Sequence, residues 1–248
     1  MAVMASPVLA RAVARLMQRG ASLSARRTDR APQARLPEYP GSRESITIPT
    51  SLGPANATIY RTGGAAASPV YLNFHGGGFV MALTELDDPA CRAISAQSGA
   101  VVVNVDYAVA PQHPFPAPAH QAYEFLDWVA ANGAGHGWDG ERLVVGGQSA
   151  GGALAAAAAR LSLERSGPAI ALQVLHYPPL DLTIPARAKR SSIAKPMLRP
   201  WMGDVFDTAY VPHAADRSDR LVSPAGSTDT TELTGIAPAL VIAAANDI

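Results

Sequence analysis

The chain has 248 residues, 20 basic and 20 acidic side chains, and a formal net charge of zero. This balance produces no broad field that attracts nucleic acid, so we expect no nucleic-acid partner. Because 48% of the residues are hydrophobic and 16% are charged, the chain can form a large core, which excludes a disordered or fibrous protein. The single cysteine, Cys91, excludes an intrachain disulfide and a cysteine-based metal cluster.

The N-terminal stretch predicts an amphipathic helix. Apolar side chains at helical spacing form one face (Val8, Leu9, Ala12, Val13, Leu16, Met17), and Arg11, Arg15 and Arg19 form another. We expect this helix to cover the main domain and assign residues 1–40 to an N-terminal cap region. Contact with a membrane surface is the less favoured alternative. The start lacks a secretory pattern, and no uncharged run approaches the roughly 20 apolar residues of a spanning helix, so we expect a cytoplasmic protein.

Beyond residue 40, predicted strands and helices alternate. The strands are expected at 44–50, 55–62, 69–74, 100–107, 142–147, 169–177 and 239–245, and the helices at 87–99, 119–132 and 151–167. Strands separated by helices indicate crossover connections and a mostly parallel sheet, the α/β class. Residues 181–238 contain only a weak helical pattern, in "PWMGDVFDTAY", and we assign them to an insertion within one domain, 41–248.

One serine has the surroundings of a catalytic nucleophile. The sequence Gly147-Gln148-Ser149-Ala150-Gly151 matches G-x-S-x-G and lies between a predicted strand and a predicted helix. A sharp strand-to-helix turn in this context exposes the serine, and the helix N-terminus stabilises negative charge. A glycine-flanked serine in an ordinary turn is the alternative.

A second glycine-rich motif precedes the serine in the chain. His75-Gly76-Gly77-Gly78 follows a predicted strand, and its glycines let the backbone approach a ligand closely. Backbone N–H groups aimed at one point stabilise the oxyanion of a tetrahedral intermediate. A flexible glycine turn is the alternative here, and the presence of the G-x-S-x-G motif makes it the weaker one.

Taken together, these motifs resemble the hormone-sensitive-lipase-like branch of the α/β-hydrolase fold. The matching segments are "HGGGF", "DYAVAPQHPFPAP", "GQSAGG", "YPPLDL", "VSPAG" and "GIAPALVIAAAND", in the family's order over roughly residues 40–248. The resemblance implies an eight-stranded, mostly parallel sheet flanked by helices. It also implies a helical cap from the N-terminal helices and residues of about 185–215. The implied chemistry is hydrolysis of small carboxylic esters without a cofactor or metal.

Carried over to this chain, the family pattern assigns four roles. Ser149 matches the nucleophile, and the N–H groups of the His75, Gly76, Gly77 and Gly78 motif and of Ala150 match the oxyanion hole. Asp247 matches the acid of the triad. Asp181, in "YPPLDL", is another carboxylate after a strand, and the family pattern places it in a structural turn.

The sequence departs from the family pattern at three positions near the site. Ala108 and Gln112 replace an arginine and a glutamate of the usual "DYRLAPEHP", and Gln148 replaces the aspartate of the usual "GDSAGG". These changes remove charges that would brace the site. They leave the nucleophile and the oxyanion donors in place.

The larger departure from the family pattern concerns the general base. In this fold the triad histidine follows the acid, and the sequence ends at Ile248, one residue after Asp247. We therefore expect a C-terminally truncated scaffold that lacks the final helix and strand and is nearly inactive, since a serine hydroxyl without a base is a weak nucleophile. The apolar segment 239–245 would then be an unpaired sheet edge that another chain could pair with. Formation of a homodimer is one such possibility.

The chain has six histidines, none of them at the expected position of the base. His75 and His113 are structural by resemblance, and His120, His136 and His213 match no motif. His176, at a predicted strand end, is the one histidine that could replace the base. A structural histidine bonded to a backbone carbonyl is the favoured interpretation.

Three hypotheses follow for function. The favoured one is a serine carboxylesterase with a small-molecule ester as substrate. The second is a non-catalytic protein that binds a small ligand on the same fold, as the plant gibberellin receptors do without the triad histidine. The third is a peripheral membrane protein anchored by the first helix.

Overall fold

The structure is a computed structural model that describes residues 6–25, 38–63, 67–189, 192, 196–226 and 232–244. The strands are β1 (Ser42–Ile48), β2 (Ala55–Arg61), β3 (Ser68–Phe74), β4 (Val101–Val105), β5 (Trp138–Gln148), β6 (Leu172–His176) and β7 (Ala239–Ile242). The α-helices are α1 (Pro7–Ala25), α2 (Asp88–Ser98), α3 (Ala117–Ala131), α4 (Gly133–His136), α5 (Ala150–Glu164) and α6 (Pro200–Tyr210). Short 3-10 turns span Thr84–Asp87, Ala186–Ala188 and Ala214–Ser218. The predicted acid, Asp247, lies outside the described residues.

The strands form one mostly parallel sheet. Its order is β1-β2-β4-β3-β5-β6-β7, and only the β1–β2 and β2–β4 pairs are antiparallel. The parallel strands β3 to β7 end at the same edge, where Phe74 pairs with Gly147 and Gln148 pairs with His176. Functional residues of such sheets lie at this carboxyl edge. The predicted α/β fold is confirmed.

The centre of the sheet is covered on both faces. Every residue of β4 is buried, as its unbroken apolar run predicts. Helix α5 packs against β5 and α3, and its alanines at 153, 155, 157, 158 and 159 are all buried. Small side chains on this helix let its backbone lie close to the sheet, which positions the residue at its N-terminus.

Cys91 belongs to a smaller apolar cluster on the other face. It lies on α2, is 1% exposed, and packs with Tyr60, Tyr71 and Val102. Burial raises the pKa of its thiol, so the residue stays neutral. The structure thus makes Cys91 a core residue of α2.

Helix α1 covers the domain with only part of the predicted face. Val13 and Met17 pack against the core, as predicted. Ala10 and Ala14 are fully buried, whereas Val8 and Leu16 are 80% and 68% exposed. The alanines permit close contact between α1 and α6, and larger side chains at these positions would hold the helices apart. None of the helices in the described ranges combines the length and hydrophobicity that crossing a membrane requires.

Helix α6 is more regular than its sequence suggested. It spans three turns, and seven of its residues are buried, from Gly203 to Tyr210 except Asp204. The ring of Tyr210 stacks on Phe79 with centroids 3.9 Å apart, and α1 covers another side of the helix. Tertiary packing therefore stabilises a segment whose intrinsic helical pattern is weak.

Candidate active site

Ser149 occupies the turn between β5 and α5. Its backbone has φ +52° and ψ −122°, a conformation that non-glycine residues rarely adopt. Its N–H donates to the carbonyl oxygen of His176 at 2.8 Å, which ties the turn to the end of β6. The structure thus contains the sharp turn that the G-x-S-x-G motif predicts, and backbone strain of this kind is common at functional positions.

The glycines around Ser149 are required by the close approach of β3. A Cβ atom at Gly151 or Gly147 would overlap the carbonyl oxygen of Phe74, the last residue of β3. A Cβ atom at Gly152 would lie 2.9 Å from the carbonyl oxygen of Gly147. The motif therefore reflects backbone-to-backbone packing as well as the turn itself.

The other glycine-rich motif forms a tight turn after β3. Gly77 and Gly78 have φ values of +140° and +61°, and the carbonyl oxygen of Gly77 accepts from the N–H groups of Val80 and Met81 at 3.1 and 2.9 Å. A Cβ atom at Gly78 would overlap the ring of Phe206 on α6. This close approach places the turn directly beneath α6.

Three N–H groups near Ser149 are available to a ligand. Among the described residues, none accepts a hydrogen bond from the N–H of Gly77 or Gly78. The N–H of Ala150 lies in the first turn of α5, where a helix offers no internal acceptor. Gly78 and Ser149 line the same cavity. These groups fit the predicted oxyanion donors.

His75 is a buried structural residue. Its ring stacks on Tyr107 with centroids 4.2 Å apart, and its Nδ1 lies 2.6 Å from the carbonyl oxygen of Gly76, to which it donates. Burial lowers the pKa of His75, so the 4.0 Å approach of Asp106 to Nε2 is not a salt bridge. The Tyr107 hydroxyl donates to the His75 carbonyl at 2.9 Å, so this pair braces the glycine turn.

A buried polar network lies behind the nucleophile. The Gln148 side chain donates through Nε2 to Asp87 Oδ1 and accepts from the Tyr177 hydroxyl. Asn73 Nδ2 lies 2.9 Å from Asp87 Oδ2 and 2.9 Å from Asn104 Oδ1. Burial raises the pKa of Asp87, and the Asn73 and Gln148 hydrogen bonds partly oppose this rise.

Sequence reasoning missed this network, although one signal for it was present. The sequence predicts the loss of a bracing charge at Gln148. In the structure, the carboxylate of Asp87 bonds to this glutamine and provides a charge at the same place. Asn73 and Asn104 lie inside the apolar strands β3 and β4. A buried asparagine needs a polar partner, so two such residues on neighbouring strands indicate a network.

The loop that carries the other two departures from the family pattern is hydrogen-bonded to neighbouring helices. Gln112 Nε2 donates to Gln18 Oε1 on α1 at 2.9 Å. The Ala108 N–H donates to Gln121 Oε1 at 2.7 Å. Amide side chains therefore connect this loop to α1 and α3.

Ser149 lines a cavity of about 350 Å³. Its walls are the segment from Tyr177 to Leu182 and one face of α6, with Gly78 and Phe79 beside the serine. Most of the lining is apolar, and the charged residues on it are Asp181, Lys189 and Asp207. A small acyl or alcohol group fits such a volume.

Among the described residues, neither Asp181 nor His176 forms a hydrogen bond with Ser149 Oγ. Asp181 lines the cavity but accepts from the Thr183 N–H at 2.8 Å in a local turn, as expected of a structural residue. The side chain of His176 is exposed and lies next to the Tyr177 ring. Only the backbone carbonyl of His176 bonds to Ser149, through the Ser149 N–H. Strand β7 ends at Ile242, which pairs with His176 at the same edge of the sheet as Ser149.

No histidine ring in the described ranges, which include all six, forms a hydrogen bond with Ser149 Oγ. The remaining histidines lie elsewhere: His120 contacts Arg165 at 3.1 Å, and His136 stacks on Trp138. His113 lies in the loop after β4, and His213 precedes a 3-10 turn. Within the same ranges, no cluster of three or more histidine, cysteine or acidic residues is arranged to hold a metal.

The α/β-hydrolase fold family matches residues 71–248. The chain belongs to this family. This chain is 36% identical over 182 residues to Carboxylesterase NlhH of Mycobacterium tuberculosis, a match that covers 72% of this chain and 56% of that protein. Over 163 residues it is 39% identical to Esterase LipI of the same species, covering 63% of this chain and 51% of that protein.

Solved structures of esterases are similar to this chain as well. The esterase of Pyrobaculum calidifontis aligns with this chain at a TM-score of 0.75 and 37% identity, over 81% of this chain and 64% of that one. The resemblance to hormone-sensitive-lipase-like hydrolases is thus confirmed. The chain spans about half the length of the curated relatives it matches.

Proposed function

We propose that this hydrolase binds small carboxylic esters in the cavity and that Ser149 attacks their carbonyl carbon. The observation that carries the proposal is the position of Ser149: a left-handed turn at the cavity wall, directly before the N-terminus of α5. The names of the similar proteins, carboxylesterase and esterase, support the same chemistry.

The proposed reaction forms a bond between Ser149 Oγ and the ester carbonyl carbon while the hydroxyl proton passes to a base. The carbonyl oxygen becomes an oxyanion, which the N–H groups of Gly77, Gly78 and Ala150 would stabilise by hydrogen bonds. Each such donor typically contributes about 10²–10³ in rate. The alcohol then leaves with a proton, and water releases the acid from Ser149. Asp247 is the proposed acid that orients the base.

We further propose that the 248 residues turn esters over slowly. The support is that none of the six histidines contacts the Ser149 hydroxyl in the described residues. Loss of the base from a comparable triad lowers turnover by about 10⁶, and oxyanion stabilisation accounts for much of what is left.

Hydrolysis of p-nitrophenyl butyrate tests this function. We expect slow release of nitrophenolate above the buffer rate, absent in Ser149→Ala and retained in Ser98→Ala, a change at an exposed serine of α2. Addition of the C-terminal segment of a related esterase, with its histidine, is expected to raise the rate. Equal rates in the parent chain and in Ser149→Ala would contradict the proposal.

A second candidate is a non-catalytic protein that binds a small ligand in the same cavity. The lack of a histidine contact to Ser149 Oγ favours it, because binding needs no base. It predicts saturable binding of a small ester or carboxylate, with no serine-dependent turnover even after the C-terminal segment is supplied.

The cap is assigned to the N-terminal region 1–40 and the insertion at about 185–215. Two contacts support this proposal: α1 packs on α6, and α6 forms part of the cavity wall next to Ser149. Changes on α6 should therefore alter which esters enter.

A further inference from the structure

One charged side chain on the cavity wall, Asp207, accepts no side-chain hydrogen bond from any described residue. Gly203, Phe206 and Asp207 share a face of α6 and all line the cavity that contains Ser149. Asp207 is 8% exposed, and no described residue donates a hydrogen bond to its carboxylate. A buried carboxylate without a donor is costly unless a ligand or water satisfies it.

Two charged residues near Asp207 contact other groups. On the following 3-10 turn, Arg217 Nη2 donates to Thr208 Oγ1 at 3.1 Å. Asp204 on α6 pairs with Arg187 at 3.9 Å. Lys189 lines the cavity, and it and Arg217 favour the ionised form of Asp207, whereas Asp204 disfavours it. Burial is the largest influence and raises the pKa of Asp207 to about 6, so the carboxylate is mostly ionised at pH 7.5.

We propose that Asp207 is a specificity-determining residue that accepts a hydrogen bond from a hydroxyl group on the acyl or alcohol part of the ester. A neutral donor is preferred to an ammonium group because Lys189 lines the same cavity and Arg217 lies near the carboxylate. The substrate class is therefore hydroxylated small esters. This inference rests on the proposed function, because it takes the cavity as the ester site.

Binding to the full chain carrying Ser149→Ala tests the inference without requiring turnover. Dissociation constants are measured by NMR titration at pH 7.5 for two matched pairs. Ethyl 3-hydroxybutyrate against ethyl butyrate places the hydroxyl on the acyl side, and 2-hydroxyethyl butyrate against propyl butyrate places it on the alcohol side. We expect at least about tenfold tighter binding of the hydroxylated member in one pair, as a hydrogen bond to a charged group provides.

Variants at position 207 assign the preference. We expect Asp207→Leu to reduce it to less than about twofold, and the shape-conserving Asp207→Asn to reduce it at least threefold, since the bond then lacks its charge. Asp204→Asn, on the same helix but outside the cavity wall, should retain the full preference.

The outcomes separate this inference from the proposed function. Equal affinities within both pairs, absence of binding, or a preference that survives Asp207→Leu would overturn the role of Asp207. A hydroxyl preference in the absence of any Ser149-dependent turnover would retain that role and contradict the esterase proposal.

Discussion

Gln148, the residue before the candidate nucleophile, donates a hydrogen bond to the buried carboxylate of Asp87. This contact joins the turn at Ser149 to the end of the 3-10 turn Thr84–Asp87, two segments more than sixty positions apart in the chain. Tyr177 donates to the same glutamine from the loop after β6. The orientation of the turn thus depends on residues from three parts of the sheet edge.

Replacement of Gln148 by alanine should destabilise the fold by about 1–3 kcal/mol, because Asp87 loses a donor while it remains buried. The hydrogen bond from Gln148 lowers the pKa of Asp87, so its loss costs more when the carboxyl is ionised. The free energy of unfolding should therefore fall more at pH 8 than at pH 4, as urea denaturation would measure. Gln97→Ala, at an exposed glutamine bonded to Tyr39, is the control and should change stability by less than about 0.5 kcal/mol. A cost independent of pH would argue against the contact with Asp87.

Gly151→Ala should destabilise the protein by about 3 kcal/mol or prevent folding. The added Cβ would overlap the backbone oxygens of Phe74 and His75, which cannot rotate away as a side chain could. Thermal unfolding measures the effect. Gly20→Ala, where nothing lies within 4 Å of the added atom, is the matched control and should raise stability by up to about 1 kcal/mol in helix α1. Similar melting temperatures for the two variants would contradict the proposed packing.

Asp207 should make stability decrease as the pH rises from about 4 to 6. Its pKa is raised from 3.8 to about 6 in the fold, so the folded state binds the proton more tightly, and ionisation above pH 6 costs up to about 3 kcal/mol. We expect Asp207→Asn to be more stable than the parent at pH 8 and equal to it below pH 4. Asp204→Asn, which removes a carboxylate paired with Arg187, should show no such gain. A gain at pH 4 as large as that at pH 8 would exclude titration of Asp207 as its cause.

Gln18 should hold α1 on the domain. Its Nε2 donates to the carbonyl oxygens of Val80 and Ala110 at 2.7 and 3.0 Å. Gln18→Ala should accelerate hydrogen exchange of the α1 amides by about thirtyfold, because two bonds that contribute about 1 kcal/mol each are lost. Arg15→Ala, on the exposed side of the same helix, should leave exchange unchanged. Unchanged exchange in Gln18→Ala would mean that the apolar contacts with α6 alone hold α1.

Most of the architecture was predictable from the sequence because strands and helices of this fold have strong local signals. The unbroken apolar run of β4 and the alanine-rich pattern of α5 lie where they were expected. Helix α6 was underestimated because its stability comes from Phe79 and α1, contacts that a local pattern does not contain. The prediction for the contact face of α1 was right at Val13 and Met17, which pack against the core. It was wrong at Val8 and Leu16, because Ala10 and Ala14 permit closer packing than hydrophobicity alone indicates.

In the candidate site, too, some residues were predictable from the local sequence and others were not. Ser149 and the glycines of both motifs were predictable because tight turns and close backbone contacts restrict the residue type strongly. Asp87 and Asp207 were not, since their roles depend on burial and on partners distant in the chain. The proposed acid, Asp247, lies outside the described residues and stays a prediction.

Labelling with a fluorophosphonate, followed by peptide mass spectrometry, tests whether Ser149 is the nucleophile. We expect slow attachment of one label per chain, on the peptide that contains Ser149, and no label there in Ser149→Ala. Retention of labelling in Ser149→Ala, or attachment at another serine in the parent chain, would contradict Ser149 as the nucleophile.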